Sequence, residues 1–281
     1  MIVYACLPAR YNSARFPGKV LAKDTGKFLI QHTYERACLA KLPNKILIAA
    51  DDKRIAQAAK SFGAECIMTS RDCASGTDRI AEAVAGLDVD IVINLQADEP
   101  EIDPANIDAV AKLLLENQKS KIKNQKYDMA TLAAEFQNAQ QIADPNIVKV
   151  VVASIEHRAL SAEALAKAES SIGARRAVYF SRSPIPYDRE KGGVGPLTCY
   201  LRHLGIYAYR KDFLLKFTKL PQGQLEQIEK LEQLRAIENG YPILVGKVEH
   251  FCDGIDTPQQ YAEFVKRYKN SHKGHREHRD K

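Results

Sequence analysis

Asp90-Ile91-Val92-Ile93-Asn94-Leu95-Gln96-Ala97-Asp98-Glu99-Pro100 is the stretch whose reading decides the fold. Its apolar residues do not alternate with polar ones, so both faces of the segment are expected to be covered, as in a parallel sheet packed between helices. The run stops at an acidic turn closed by Pro100. Outward from it, Ile2 to Leu7 reads as the first strand, Lys45 to Ala50 as the second and Glu65 to Thr69 as a third. Between them lie amphipathic stretches, Ile30 to Ala40, Lys53 to Phe62 and Thr77 to Val84, whose spacing predicts helices. Short apolar runs alternating with helices predict an α/β fold: a Rossmann-like, mostly parallel sheet flanked by helices. In such sheets ligands collect at the carboxyl ends of the strands, which is where the polar loops of this chain gather.

The later half is read more coarsely. A helix is expected from Ala105 to about Gln118, a polar loop from Lys119 to Lys126, and strands at Met129 to Ala133 and Val148 to Val152. Ser161 to Ala168 reads as helical, Arg176 to Pro186 as the entry to a proline-rich turn, His203 to Tyr209 as a strand, and Ile228 to Glu238 as a helix stopped by Gly240. With no repeat and no clean linker, residues 1–265 are expected to form one domain, carrying a small inserted antiparallel lobe at about 176–240.

The net charge of +6 is concentrated in Lys119 to Lys126 and in the tail from Lys266 to Lys281. That tail has no apolar period and is expected to be a basic, disordered segment of residues 266–281, its three histidines (His272, His275, His278) incidental. A nucleic-acid binder wants basic residues on an ordered face with stacking aromatics, and the tail offers only Tyr268, so no nucleic-acid partner is expected. No run approaches the roughly 20 apolar residues of a membrane span. Six cysteines without a CxxC pair point to free thiols and a cytoplasmic location.

Chemistry concentrates first in Pro8-Ala9-Arg10-Tyr11-Asn12-Ser13-Ala14-Arg15-Phe16-Pro17-Gly18-Lys19. Arg10, Arg15 and Lys19 follow a buried strand within ten residues, beside a glycine, where turn amides and cations together suit a polyphosphate. The segment is neither a Walker A loop nor a GxGxxG turn. A solvated basic loop is the plain alternative.

This segment resembles the N-terminal signature of sugar nucleotidyltransferases, and closely that of the 3-deoxy-manno-octulosonate cytidylyltransferases, the CMP-Kdo synthetases. The resemblance continues through SGTDR (Ser75 to Arg79), NLQADEP (Asn94 to Pro100), YFSRSPIP (Tyr179 to Pro186), RHLGIY (Arg202 to Tyr207), EKLEQLR (Glu229 to Arg235) and GIDTP (Gly254 to Pro258). It implies the nucleotide-diphospho-sugar transferase type of fold, a homodimer, and transfer of CMP from CTP to the octulosonate, for the inner core of lipopolysaccharide. The rivals are an enzyme for an amino analogue or sialate, a nucleotide-binding protein without catalysis, and a metal-dependent glycosyltransferase.

By the same resemblance Asp98 and Asp256 hold Mg²⁺; read alone, Asp98 is a turn former and Asp256 an N-cap for the helix after Pro258. Arg10, Arg15 and Lys19 would face the CTP phosphates, so Arg10, Lys19, Asp98 and Asp256 form the expected catalytic set. Ser75, Gly76, Arg79 and Gln96 complete the CTP side, with Thr77 as a plain N-cap the alternative at that helix start. The acceptor side takes Gln96, Arg182, Arg189, His203, Tyr207, Glu232 and Gln233, with Arg182 or Arg189 gripping the sugar carboxylate. Read without the resemblance, His203 and Tyr207 are core residues and Glu232 and Gln233 a solvated helix face. The chain departs from the family at Ala97, where a glycine is usual, and in longer segments at Lys119 to Lys126 and about Ser154 to Arg175.

Overall fold

The computed structural model describes residues 1–13, 15–119, 127–153 and 174–273. In chain order the elements are β1 (Val3–Ala9), α1 (Leu29–Ala37), β2 (Lys45–Ala50), α2 (Lys53–Ser61), β3 (Glu65–Met68), α3 (Gly76–Val84), β4 (Ile91–Asn94) and α4 (Pro104–Lys119). They continue as β5 (Met129–Glu135), α5 (Ala139–Ala143), β6 (Lys149–Ala153), β7 (Arg175–Ser181), β8 (Leu201–Arg210), α6 (Lys211–Phe217), α7 (Gln224–Glu229), α8 (Leu234–Glu238), β9 (Ile243–Lys247) and α9 (Pro258–Lys273).

The nine strands of the described residues join one sheet in the order β3-β2-β1-β4-β8-β5-β9-β7-β6. β1 runs parallel to both β2 and β4, with Cys6 opposite Leu47 on one side and Asn94 on the other. The chain therefore leaves β1 toward β3 and returns to β4, which opens a crevice beyond the carboxyl ends of β1 and β4. β1 and β4 are buried on both faces: Val3, Ala5, Leu7, Ile91 and Ile93 enter one core, Cys6 and Val92 the other. The expected antiparallel part is built onto this same sheet, since β8 pairs antiparallel with β4 and with β5. At the far side β6 also meets β8, Lys149 opposite Arg202, so the second half of the sheet curls back on itself.

Several expectations need correction. α9 continues to Lys273, so the tail read as disordered from Lys266 begins inside a helix. That helix is held because Phe264 and Tyr268 pack their rings against His32 at 5.1 and 4.7 Å. His272 lies within α9, while His275 and His278 lie outside the described residues. The helix expected over Ile228 to Glu238 is two helices, because Lys230 takes a left-handed backbone, φ 53°, and ends α7. β7 occupies much of the segment read as a turn entry, and β9 went unread. The polar loop and the helix expected at 161–168 fall outside the described residues, apart from Lys119, which ends α4. Ala97 carries no strain, because Lys230 is the one non-glycine with positive φ among the described residues. No helix among them is long and apolar enough to cross a membrane.

Candidate active site

The turn after β1 is shaped by Gly18, whose φ of 68° places it in the left-handed region before a short 3₁₀ turn, Lys19–Leu21. That turn carries Lys19 beneath the carboxyl end of β4. Its ammonium bonds Asp98 Oδ2 and also donates to Asp256 Oδ1 at 3.0 Å and to the Ile255 carbonyl at 2.9 Å. Arg15 reaches the other Asp256 oxygen at 2.9 Å. Asp256 is free to do this because it is not the helix cap. Thr257 Oγ1 accepts from the Gln260 amide, and Gln260 Oε1 accepts from the Thr257 amide, a capping box that leaves the aspartate unused.

Two cavities meet at this cluster. One, of about 470 Å³, is lined by Pro8, Arg10, Arg15, Lys19, Ser75, Gly76 and Arg79, together with Gln96, Asp98 and Asp256. Every residue expected on the CTP side lies in this wall. Ser75, rather than Thr77, caps α3: its hydroxyl accepts from the Asp78 amide and Asp78 Oδ2 accepts from the Ser75 amide. The start of that helix and Arg10, which has no ion pair or hydrogen bond among the described residues, put positive charge on this wall, a setting that suits an anion. Gly76 admits no side chain without moving Pro8, whose Cγ would lie 3.1 Å from an added Cβ. Arg79 is buried and committed, donating to Thr69 Oγ1 at 2.7 Å and Ser70 O at 3.1 Å.

The second cavity, about 530 Å³, shares Gln96, Asp98 and Asp256 with the first. Its wall includes the expected His203, Tyr207 and Gln233, and also Glu99, Asp144, Asn146, Arg202 and Asp253. Two buried donors, Arg202 Nη1 and Gln233 Nε2, have no hydrogen-bond partner among the described residues. Unpaired buried donors are costly, so their placement marks a cavity built to receive acceptor oxygens. Desolvation and the neighbouring Asp98 push the Glu99 carboxyl up to about 8, against the pull of Arg202.

Arg182, Arg189 and Glu232 do not line this cavity. Arg182 donates to the carbonyls of Glu229 at 2.7 Å and Pro145 at 2.9 Å, carbonyls that the end of α7 and a tight loop leave without helix or sheet partners. Lys149, fully buried, completes this scaffold by donating to Asp144 O at 3.0 Å, Ile147 O at 2.7 Å and Arg182 O. Arg189 sits exposed in the turn closed by Asp188 and Gly193. Glu232 instead accepts from Thr77 Oγ1 at 2.5 Å, tying α8's entry to the start of α3. Arg202 stands next to His203 within a recognised block, so adjacency was the signal that would have found it; Lys149 offers none, as one charge in an apolar strand.

His203 is both core and wall. Its ring meets Phe180 edge-on at 5.0 Å and Tyr207 at 5.4 Å. Burial drops its pKa from the ordinary 6.5 to about 3. Above about pH 6.5 the ring is neutral folded or unfolded; below it only the unfolded ring gains a proton, so stability falls by about 1.4 kcal/mol per pH unit toward pH 3. His203→Asn is expected to remove about 2 kcal/mol of acid destabilisation between about pH 7.5 and pH 5, read as urea midpoints at both values. An unchanged pH dependence would mean that the folded ring takes the proton.

Cations and a helix start around one cavity, a shared pair of carboxylates, and polar side chains around the next fit a nucleotidyltransferase. The chain belongs to the cytidylyltransferase family, which matches it over residues 4–245. It is 44% identical over 269 residues to the 3-deoxy-manno-octulosonate cytidylyltransferase of Solibacter usitatus, covering 96% of this chain and 95% of that one. It is also 44% identical over 262 residues to the 8-amino-3,8-dideoxy-manno-octulosonate cytidylyltransferase of Shewanella halifaxensis, covering 92% and 95%. The solved structure of a CMP:2-keto-3-deoxy-manno-octonic acid synthetase complexed with CTP superimposes with a TM-score of 0.81 at 37% identity, over 96% of this chain and 100% of that one.

Proposed function

We propose that this cytidylyltransferase transfers CMP from CTP to 3-deoxy-manno-octulosonate, for lipopolysaccharide core synthesis, working with Mg²⁺ in the cytoplasm as a homodimer. The observation that carries the reading is the junction of the two cavities at Asp98 and Asp256. The anomeric hydroxyl oxygen bonds to the α-phosphorus, the bond from that phosphorus to the bridging oxygen breaks, and pyrophosphate leaves while the hydroxyl proton passes to solvent. Arg10, Arg15 and Lys19 offset the charge on the departing pyrophosphate, and the Gly76 amide at the start of α3 holds the nucleotide in line. His203, Tyr207 and Gln233 orient the sugar hydroxyls.

The donor chemistry fits a hard cation. Two carboxylates converge on one positive point, the Lys19 ammonium, and an all-oxygen pair supplemented by phosphate and water suits Mg²⁺. When bound by Asp98 and Asp256, the ion would polarise phosphate oxygens and lower the pKa of the attacking hydroxyl.

The unpaired Nη1 of Arg202 is the acceptor carboxylate's anchor in place of Arg182 and Arg189. Its stacking over Phe251, 4.5 Å from the ring centre, holds the fork still. Arg202→Gln is expected to raise KM for the sugar acid about tenfold or more, with KM for CTP unchanged, since a charge-assisted hydrogen bond contributes about 1.5–3 kcal/mol. The deciding experiment offers CTP and Mg²⁺ with the octulosonate, its 8-amino analogue or sialate in separate reactions and follows pyrophosphate. Release with the octulosonate is expected; release with the analogue alone moves the acceptor, and no release with any of them ends the transferase reading.

A further inference from the structure

β8 carries a bulge where it passes β5. Thr131 pairs with Tyr207 and the next residue, Leu132, with Leu204, so Gly205 and Ile206 have no partner on β5. The carbonyls there are served by side chains. Gln96 Nε2 donates to Gly205 O at 3.2 Å, and Thr131 Oγ1 lies 2.8 Å from Ile206 O and 3.1 Å from Leu204 O. The same hydroxyl is 3.0 Å from His203 Nε2.

A threonine hydroxyl has one hydrogen, and carbonyls only accept. Thr131 is fully buried, and giving its hydrogen to the histidine would take it from Ile206 O at 2.8 Å, the shorter of its two carbonyl contacts, at a bulge where Ile206 has no partner on β5. The hydrogen therefore belongs to the bulge, and the histidine must donate to the threonine oxygen. Nδ1, the other ring nitrogen, meets no partner among the described residues and is not one of the buried orphaned atoms, and the ring lines the acceptor cavity.

We infer that Thr131 is a positioning residue. It fixes His203 as the Nε2–H tautomer, so that Nδ1 presents a lone pair to the cavity and accepts a hydrogen bond from a hydroxyl of the acceptor. The low basicity of the buried ring agrees with a neutral acceptor rather than a proton shuttle. A bulge that serves its carbonyls through Thr131 thus also sets the polarity of one contact to the sugar. The acceptor half rests on the reading that the second cavity takes a sugar acid; the tautomer half does not.

The test has two arms. Nitrogen-15 NMR of the histidine rings in the free protein, with the His203 signal assigned by its loss in His203→Asn, reads the tautomer directly and needs no substrate. Nε2–H is expected in the parent and in Thr131→Ser, and a mixture of tautomers in Thr131→Val. Steady-state kinetics should show KM for the sugar acid raised about fivefold to tenfold in Thr131→Val, KM for CTP unchanged, and recovery to within about twofold in Thr131→Ser, as expected for one neutral hydrogen bond. Nδ1–H in the parent overturns the inference, and so does a KM defect that Thr131→Ser fails to rescue. Failure of the transferase reading is separately visible, as a parent protein that releases no pyrophosphate from CTP with any acceptor.

Discussion

Asp98→Asn is expected to lower the rate of pyrophosphate release about a thousandfold, roughly 4 kcal/mol of transition-state stabilisation, while the fold and CTP binding without metal persist. The substitution keeps the size of the side chain and removes its charge. Asp98 is positioned by β4, whose four residues are fully covered, and by the following turn, where the Ala97 carbonyl accepts from Thr33 Oγ1 at 3.1 Å. The backbone has little reason to move, so the loss should appear in kcat more than in KM for either substrate. The measurement is kcat at saturating CTP and octulosonate, beside calorimetric CTP binding in chelator. A loss under about tenfold would take Asp98 out of the reaction and leave it as a partner for Lys19. Asp256→Asn should act in the same direction but less strongly, because its carboxylate is more exposed, 44% against 21%.

The first half of the fold was legible because its signals are local. β1, β2 and β4 are covered on both faces and read as uninterrupted apolar runs, and the helices between them carry a helical period. The residues that line the first cavity were findable for the same reason, since Arg10, Arg15 and Lys19 follow one such strand in sequence. The wall of the second cavity was not. It is assembled from the turn after β4, the loop before β6, the start of β8, the segment between α7 and α8 and the loop before α9. Which of their polar residues face inward depends on pairings between distant strands. Arg182 shows how this misleads: its motif was found, but its guanidinium is consumed by carbonyls exposed where Lys230 breaks the helix, and a lysine in a left-handed backbone leaves no glycine to announce the break. Asp256 was ambiguous for the opposite reason, because the neighbouring Thr257 and Gln260 take the capping role that an aspartate before a helix would otherwise fill.

Lys19→Met is expected to cut pyrophosphate release by about 10²–10³-fold and also to lower Tm, and the second effect is the more informative. Lys19 is only 12% exposed and holds two carboxylates that nothing else in the junction neutralises except Arg15, itself 64% exposed. Taking away one member of such a cluster leaves like charges facing each other. Full burial would make that loss about 3–5 kcal/mol; the openness of Asp256 reduces it to about 2 kcal/mol. In a domain of this size the change corresponds to about 4–8 °C in Tm. In the proposed reading a divalent cation would take the lysine's electrostatic role between Asp98 and Asp256, so removing the lysine should leave the pair more receptive to metal. Added Mg²⁺ is therefore expected to raise the Tm of Lys19→Met by more than that of the parent, in the absence of any substrate, and to have no such effect on the double variant that also carries Asp98→Asn. If Mg²⁺ shifts parent and Lys19→Met equally, the two aspartates do not form the metal site. The lysine would then be a structural clamp whose loss of activity follows from a collapsed junction.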